Sequence, residues 1–464
     1  MEMLPDDVLL MVLEELYEEA DIFACRLVCK RLAALALHPA VWRNFYLSCF
    51  ETHCVCPVLR LAPCLADMYI KLPANGCHQW AFASTRCAVK SLWIFVDGSS
   101  NAAHAAAIIC KQEINGRLTD VHIEIRSEAV AEVTMLLGML ASTSRLEMLR
   151  VEAYLPEHLL STTTAPMVTA AVASSLRDFT CRLSAFTEPF VNFILSEHAA
   201  TLEVVDLDPS PSSWMFTSTA PLLVGATNLS KLTCCCLPGM EALTACKSLK
   251  VLELTVYTES LNRPVVAGVA TLLRGAEQLR EVSLQYEPAV RRVTDVGAEL
   301  VLALASGRSR VETVIIQNYA SDCGANSLLY RPVVSALPSL PALRHLSLIE
   351  FLDNPDQILL AISPDVAPAL QQVEVNLREG CAHSWIHGDT VKSVLTVNPS
   401  LHIHLWASNS GFCEAAHCQS CQLDCHAELR AVGWFFHWLF SHPPTYKCPV
   451  KHTVRFEHWV HLPL

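Results

Sequence analysis

Cysteines and histidines near the carboxyl end are the residues whose types and spacing come nearest to chemistry. Cys413, Cys418, Cys421, Cys425 and His426 lie close together, and Cys418-x-x-Cys421 has the spacing of a zinc-ligand pair. A second such pair is missing from this stretch. Were residues 414–440 helical, Cys418, Cys421, Cys425, Val432, Phe436 and Leu439 would share one stripe, where the closing helix of a repeat array packs its core. The expectation is packing and no metal, with Trp434-Phe435-Phe436-His437-Trp438 sealing the end. His53-Cys54-x-Cys56 and Cys77-His78 are irregularly spaced and read the same way. Nothing proposes a nucleophile: there is no glycine-rich phosphate loop, no Gly-x-Ser-x-Gly elbow and no two-histidine metal helix. A Cys/His pair assembled by the fold is the catalytic arrangement left open, and otherwise neither catalysis nor a cofactor is expected.

Composition narrows the partners. Lys and Arg number 33 against 46 Asp and Glu, a net charge of −13, which argues against nucleic-acid backbones, since these are bound by clustered Lys and Arg. Charged residues are 17% of the chain and hydrophobic ones 52%, so part of the surface is expected to be apolar enough to want a protein partner. The 21 cysteines fall short of the density of a disulfide scaffold and are expected to be free thiols. The acidic start MEMLPDD lacks the features of a secretory signal, and no apolar run reaches bilayer length. The expected place of work is the cytoplasm or nucleus, away from membranes.

The elements that must do the positioning begin at residue 4. Pro5 suits a first helical turn, Asp6 and Asp7 put negative charge at the positive end of a helix running to about Tyr17, and Val8, Leu9, Val12, Leu13 and Leu16 recur at helical spacing. A second stripe follows in Ile22, Cys25, Leu27, Val28, Leu32 and Leu35, and Trp42 ends the unit as a bulky anchor. So short a unit cannot bury two stripes alone, and part of them should meet a partner. The Leu4-Pro5 start, the Arg26-Leu27-Val28-Cys29-Lys30-Arg31-Leu32 run and Trp42-Arg43 resemble an F-box over about residues 3 to 47, with Leu32 where a tryptophan is common. That resemblance implies docking on the adaptor subunit of an SCF-type ubiquitin ligase and, through it, on cullin. Leu4, Pro5, Leu9, Leu13, Leu16, Ile22, Val28, Cys29 and Trp42 would face the adaptor or support that face.

Behind this module an apolar residue, two others, and an apolar pair split by one residue recur from Val89-Leu92-Ile94 through Leu249-Leu252-Leu254 to Leu370-Val373-Val375. There are eleven copies about 28 residues apart, and a frayed twelfth lies at Leu401, Ile403 and Leu405. The intervening segments, such as Ala102 to Ile114, Glu128 to Ala141, Pro264 to Ala276, Asp295 to Ala305 and Pro355 to Ile362, read as helices. Strand then helix, repeated, implies a parallel sheet. The pattern is similar to leucine-rich repeats of the long kind. The asparagine that usually follows the strand is replaced by Tyr257, Glu287, Tyr319, Phe351 and Arg378, so an irregular ladder is expected.

The expected fold is therefore α/β: an N-terminal three-helix F-box (1–47), a linker and cap (48–88), a curved repeat solenoid with strands on the concave and helices on the convex face (89–407), and a Cys/His/aromatic-rich cap (408–464). Alternation across the pleat points Trp93, His122, Arg150, Thr180, Asp206, Thr233, Glu253, Ser283, Ile315, Ser347 and Glu374 away from the core. Of these, Trp93, His122, Arg150, Asp206, Glu253, Ser283 and Glu374 are the candidate substrate-binding residues. The acids Glu124, Glu152, Asp206, Asp208 and Glu253, among which Arg150 and Arg182 sit, could attract a basic segment. A wall of strands suits a protein ligand better than a metabolite. The functional expectation is a substrate-recognition subunit of an SCF-type ligase, non-catalytic itself; the alternative is a scaffold or inhibitor that binds a partner without ubiquitin transfer.

Overall fold

One backbone pattern repeats at the entrance of strand after strand. The carbonyl of Ser230 accepts the amides of Lys250 and Val251 at 2.8 and 3.0 Å, that of Lys250 those of Arg280 and Glu281 at 2.8 and 3.1 Å, and that of Arg280 those of Glu312 and Thr313 at 2.7 and 3.0 Å. Glu312 and Arg344 continue it toward His345 and Gln372, and Thr119, Glu147 and Arg177 do the same among the earlier strands. A carbonyl has two lone pairs, so one acceptor can fix two successive amides of the next rung. The ladder that the missing asparagines left in question is regular, because the main chain builds it at the other end of the strand.

The structure, a computed structural model, describes residues 4–48, 54–74, 78–98, 101–127, 129–154, 173–207, 216–257, 263–287, 296–306, 309–318, 326–349, 355–377, 381–407, 435–442, 448 and 458–462. It is mixed α/β, with helices at the amino end followed by long runs of parallel strands, and falls into two units. The first is Met1–Ser210 with Gly225–Leu229; the second is Pro211–Val224 with Ser230–Leu464.

The first unit opens with α1 (Asp6–Glu14), α2 (Glu19–Arg26), α3 (Lys30–Leu35) and the single turn α4 (Pro39–Trp42), one short helix more than expected. Cys29 Sγ caps α3 by accepting the amide of Leu32 at 3.4 Å, and His38 Nδ1 caps α4 through Ala40 at 3.3 Å. Trp42 is fully buried; its Nε1 donates to the carbonyl of Ala36 at 2.7 Å, and its ring packs against Phe23 and Phe45. The Phe45 carbonyl accepts the amide of Ala66 at 2.8 Å, which ties the helices to the sheet. That sheet runs β1 (Tyr46–Ser48), β2 (Cys64–Leu72), β3 (Ala88–Asp97), β4 (Asp120–Arg126), β5 (Met148–Ala153), β6 (Asp178–Cys181) and β7 (Val204–Asp206), each parallel to the next. Strand pairing thus starts at Tyr46, at the end of the span read as F-box, and its second rung, Cys64–Leu72, lies inside the span read as linker and cap.

The second unit carries β8 (Lys231–Cys235), β9 (Val251–Tyr257), β10 (Glu281–Glu287), β11 (Thr313–Asn318), β12 (His345–Ile349), β13 (Gln372–Leu377) and β14 (His402–Ala407), again parallel neighbours in chain order. β15 (Phe435–Phe440) then adds antiparallel to β14, and β16 (His458–His461) parallel to β15. The helix expected over 414–440 is therefore corrected at its end, while residues 414–434 lie outside the described ones. The Phe435–Phe440 run alternates with period two: Leu439 pairs with Ile403 on the core side and Trp438 with His404 on the other.

Registration is the same throughout. Leu92 pairs with Val121, Val121 with Leu149, Leu149 with Phe179 and Phe179 with Val205; in the second unit Leu232, Leu252, Val282, Val314, Leu346, Val373 and Ile403 form the matching row. Every residue of all twelve apolar triplets is at most 4% exposed. Helices cover this row, for instance Ala102–Asn115 through Ala105, Ile108 and Ile109, and Arg263–Gly275 through Val266, Val269 and Leu273. Gly116 ends the former in the left-handed region at φ 81°, where a side chain is strained.

Gln112 on that helix is fully buried; its Oε1 accepts the amide of Val89 and its Nε2 donates to the carbonyl of Cys87, both at 3.1 Å. Replacing it by leucine strands the Val89 amide, while the Cys87 carbonyl keeps Asn115 Nδ2 at 3.2 Å, and we expect a loss of about 2 kcal/mol, seen as a lower urea midpoint for the first unit. An unchanged midpoint would show that the entrance of β3 does not depend on this side chain.

Candidate functional site

α1 divides its apolar residues between two destinations. Leu9 and Leu13 point inward at 5% and 3% exposure, whereas Val8, Met11 and Val12 remain 39%, 67% and 56% exposed. Leu4 (41%) continues that outer row before the helix, and Tyr17 (80%) lies beyond it. The turn between α2 and α3 adds Leu27 and Val28 at 88% and 68%. Arg31 holds the two pieces together, its Nε donating to Asp6 Oδ1 at 2.7 Å and its other nitrogen to the Leu4 carbonyl at 2.5 Å. Both side chains of this ion pair are open to water, so it orients more than it stabilises.

Of the residues assigned to this face, Leu4, Pro5, Val28 and Cys29 are exposed and Leu16 is half-buried. Leu9, Leu13, Ile22 and Trp42 are buried inside the module. The latter four cannot touch a partner directly; they support the face from beneath. Met11 and Tyr17 escaped the sequence reading because they fall off the inward stripe, and an outward apolar residue on an amphipathic helix is the signal that would have found them.

The strand residues facing away from the core line up as expected. In the first unit Tyr69, Trp93, His122, Arg150, Thr180 and Asp206 occupy one register row. Tyr69 stacks on Trp93 at 5.3 Å, and Trp93 meets the His122 ring at 4.0 Å. His122 Nε2 lies 3.2 Å from Glu152 Oε1, and Glu152 accepts the Tyr154 hydroxyl at 3.0 Å. Glu124 pairs with Arg126 at 2.6 Å, and Arg126 sits over the Tyr154 ring at 5.5 Å. In the second unit Glu253 is held by Lys231 and Thr233, each at 2.8 Å. The expected attraction of a basic segment finds Glu124, Glu152 and Glu253 already partnered by this chain; Asp208 lies outside the described residues.

The second unit's row is Thr233, Glu253, Ser283, Ile315, Ser347, Glu374 and His404, extended by Trp438 and Trp459. His404 stacks flat on Trp438 at 4.2 Å, and Trp438 on Trp459 at 5.4 Å. Glu374 accepts from His404 Nδ1 at 2.9 Å and from Trp406 Nε1, with His345 Nε2 at 3.7 Å. Burial works to raise its pKa, but these histidines and Ser347 outweigh burial and hold the carboxyl well below its usual range. The first unit's row is aromatic at Tyr69 and Trp93, and the second unit's row holds a buried polar cluster around Glu374.

Burial also bears on nucleophiles. It pushes the Cys87 thiol up to about 12 and raises Cys110, Cys236 and Cys246, so these four are thiols at neutral pH. Cys413, Cys418, Cys421, Cys425, His426, His53 and Cys77 lie outside the described residues, and among the described ones no helix is long and apolar enough to cross a membrane.

Residues 1–48 match the F-box-like family. The match covers the four helices and β1, the same span that presents the outer row of α1. No curated protein matches the chain. Among solved structures, the Rad7 and Elc1 complex of yeast is similar at 13% identity, covering 80% of this chain and 88% of that one, with a TM-score of 0.36.

Burial is the largest influence on His122 and lowers its pKa below the ordinary 6.5, against the pull of Glu152. As pH falls below about 6.5 the unfolded chain takes up a proton that the folded ring resists, so stability is lost from there down to the lowered folded value. We expect His122→Asn to flatten the fall in urea midpoint between about pH 7 and about pH 5; an identical slope would contradict the assignment.

Proposed function

We propose that this chain is the substrate-recognition subunit of an SCF-type cullin-RING ubiquitin ligase, in which the F-box docks the adaptor subunit and leucine-rich repeats bind a protein substrate. The observation that carries the reading is the outer row Leu4, Val8, Met11 and Val12 with Leu27 and Val28, exposed on a module that matches F-box-like sequences. An apolar face on so small a module costs solubility unless a partner covers it. The regular register rows and the fully buried triplets support reading the strand–helix units as leucine-rich repeats. Ubiquitin transfer is left to other subunits; the receptor supplies proximity by holding a lysine-bearing protein near the charged thioester. Work in the cytoplasm or nucleus belongs to the same reading.

For the substrate, the half-buried aromatic row Tyr69 and Trp93 beside His122 is the favoured anchor, since aromatic residues carry a large share of interface energy. Arg150, Asp206, Glu253 and Ser283 stand in register as flanking polar contacts, while Glu374 is committed to its histidines.

Because Met11 and Val28 are exposed, Met11→Asp with Val28→Asp should leave the circular dichroism spectrum unchanged yet weaken adaptor capture about tenfold or more. Leu9→Asp should instead unfold the module, as it places a charge in its core. Undiminished adaptor capture by the double variant would overturn the docking assignment. Partner half-lives separate the ligase from a scaffold: equal lifetimes of captured proteins with and without the chain would favour scaffolding.

A further inference from the structure

The sequence assigned Cys413, Cys418, Cys421, Cys425 and His426 to packing; the fold gathers three other ligand-bearing side chains from distant positions. His402 opens β14, His442 follows β15, and Cys448 lies between β15 and β16. His442 Nε2 is 3.2 Å from His402 Nε2, Cys448 Sγ is 3.3 Å from that same nitrogen, and the three ligand atoms all lie within 4.8 Å of one another. A tetrahedral zinc ion with its usual bond lengths holds nitrogen and sulfur ligands about 3.3–3.6 Å apart, close to this spacing.

Orientation points the same way. His402 is fully buried and His442 is 3% exposed. A carbonyl can only accept, so the 3.3 Å contact between His402 Nδ1 and the Gln371 carbonyl makes Nδ1 the protonated nitrogen and leaves the Nε2 lone pair aimed into the cluster. A backbone carbonyl fixing the far nitrogen of an imidazole is the usual support of a metal-binding histidine. Phe440 and Trp459 lie against the His402 ring at 6.3 and 5.9 Å and shield it.

We propose that His402, His442 and Cys448 bind a zinc ion. Two imidazoles and a thiolate are a ligand set that zinc accepts. The ion ties His442 and Cys448, which follow β15, to the start of β14. The three residues belong to the second unit, and the proposal does not rest on the ligase reading.

The test uses the full chain, stripped with a chelator and reconstituted with zinc alone or with cobalt(II) alone. Expected are one zinc per chain retained through gel filtration, and a cobalt form with the strong ligand-field bands of tetrahedral coordination plus a thiolate-to-cobalt charge-transfer band. Cys448→Ser and His442→Ala should weaken zinc binding at least tenfold, while Cys110→Ser, at an exposed position, should not. Cys448→His should keep the tetrahedral bands with the charge-transfer band lost, an outcome that misfolding cannot produce. A wild-type chain that retains no zinc, an octahedral cobalt spectrum, or Cys448→Ser and His442→Ala variants binding as tightly as wild type would each overturn the proposal.

Discussion

The structure depends on one constraint: a single strand–helix unit exposes on one side the apolar triplet that its own helix cannot fully cover, and only the next rung covers the rest. The backbone enforces the solution. Where one carbonyl at a strand entrance accepts two amides of the following rung, as at Ser230, Lys250 and Arg280, the register cannot slip without breaking both bonds. A slip of one residue would turn the triplets outward, so hydrogen bonding and apolar burial specify the same alignment. Everything else, including the row of side chains facing away from the core, inherits its order from this.

Much of the repeat was legible because period-two alternation within a strand and spacing near 28 residues are both local signals. Triplets from Val89 to Leu405 fall on paired positions, and the helices at Ala102–Asn115 and Arg263–Gly275 lie within a residue or two of the expected spans. Less legible was the rung at β1, where Tyr46-Leu47-Ser48 is too short to show the triplet; β2 carries it in Leu65, Met68 and Ile70, in register with Val89, Leu92 and Ile94, and was passed over inside the span read as linker. The strand Phe435–Phe440 was misread for another reason: from His437 to Phe440 successive residues are buried on both faces, so no exposed polar side tells helix from strand. The meeting of His402 with His442 and Cys448 could not be read at all, since no spacing rule links residues brought together by strand pairing.

At the amino end the sequence identified the module but not which of its apolar residues look outward. Leu9, Leu13, Ile22 and Trp42 match the motif and make the core; Met11 attracted no notice, Leu27 was placed in the second apolar stripe, and both are open to solvent. The division follows helix geometry, since residues 9 and 13 share one side of α1 and residues 8, 11 and 12 another. The module's fold and its reach toward a partner therefore reside in different side chains of the same helix, and one can be altered without the other.

Hydrogen–deuterium exchange of the full chain, with and without purified adaptor, tests the central claim most directly. The account predicts that the adaptor slows exchange in residues 4–17 and 26–31 while the strands of the second unit are unaffected. Protection absent from those segments, or centred instead on the strand faces, would contradict it.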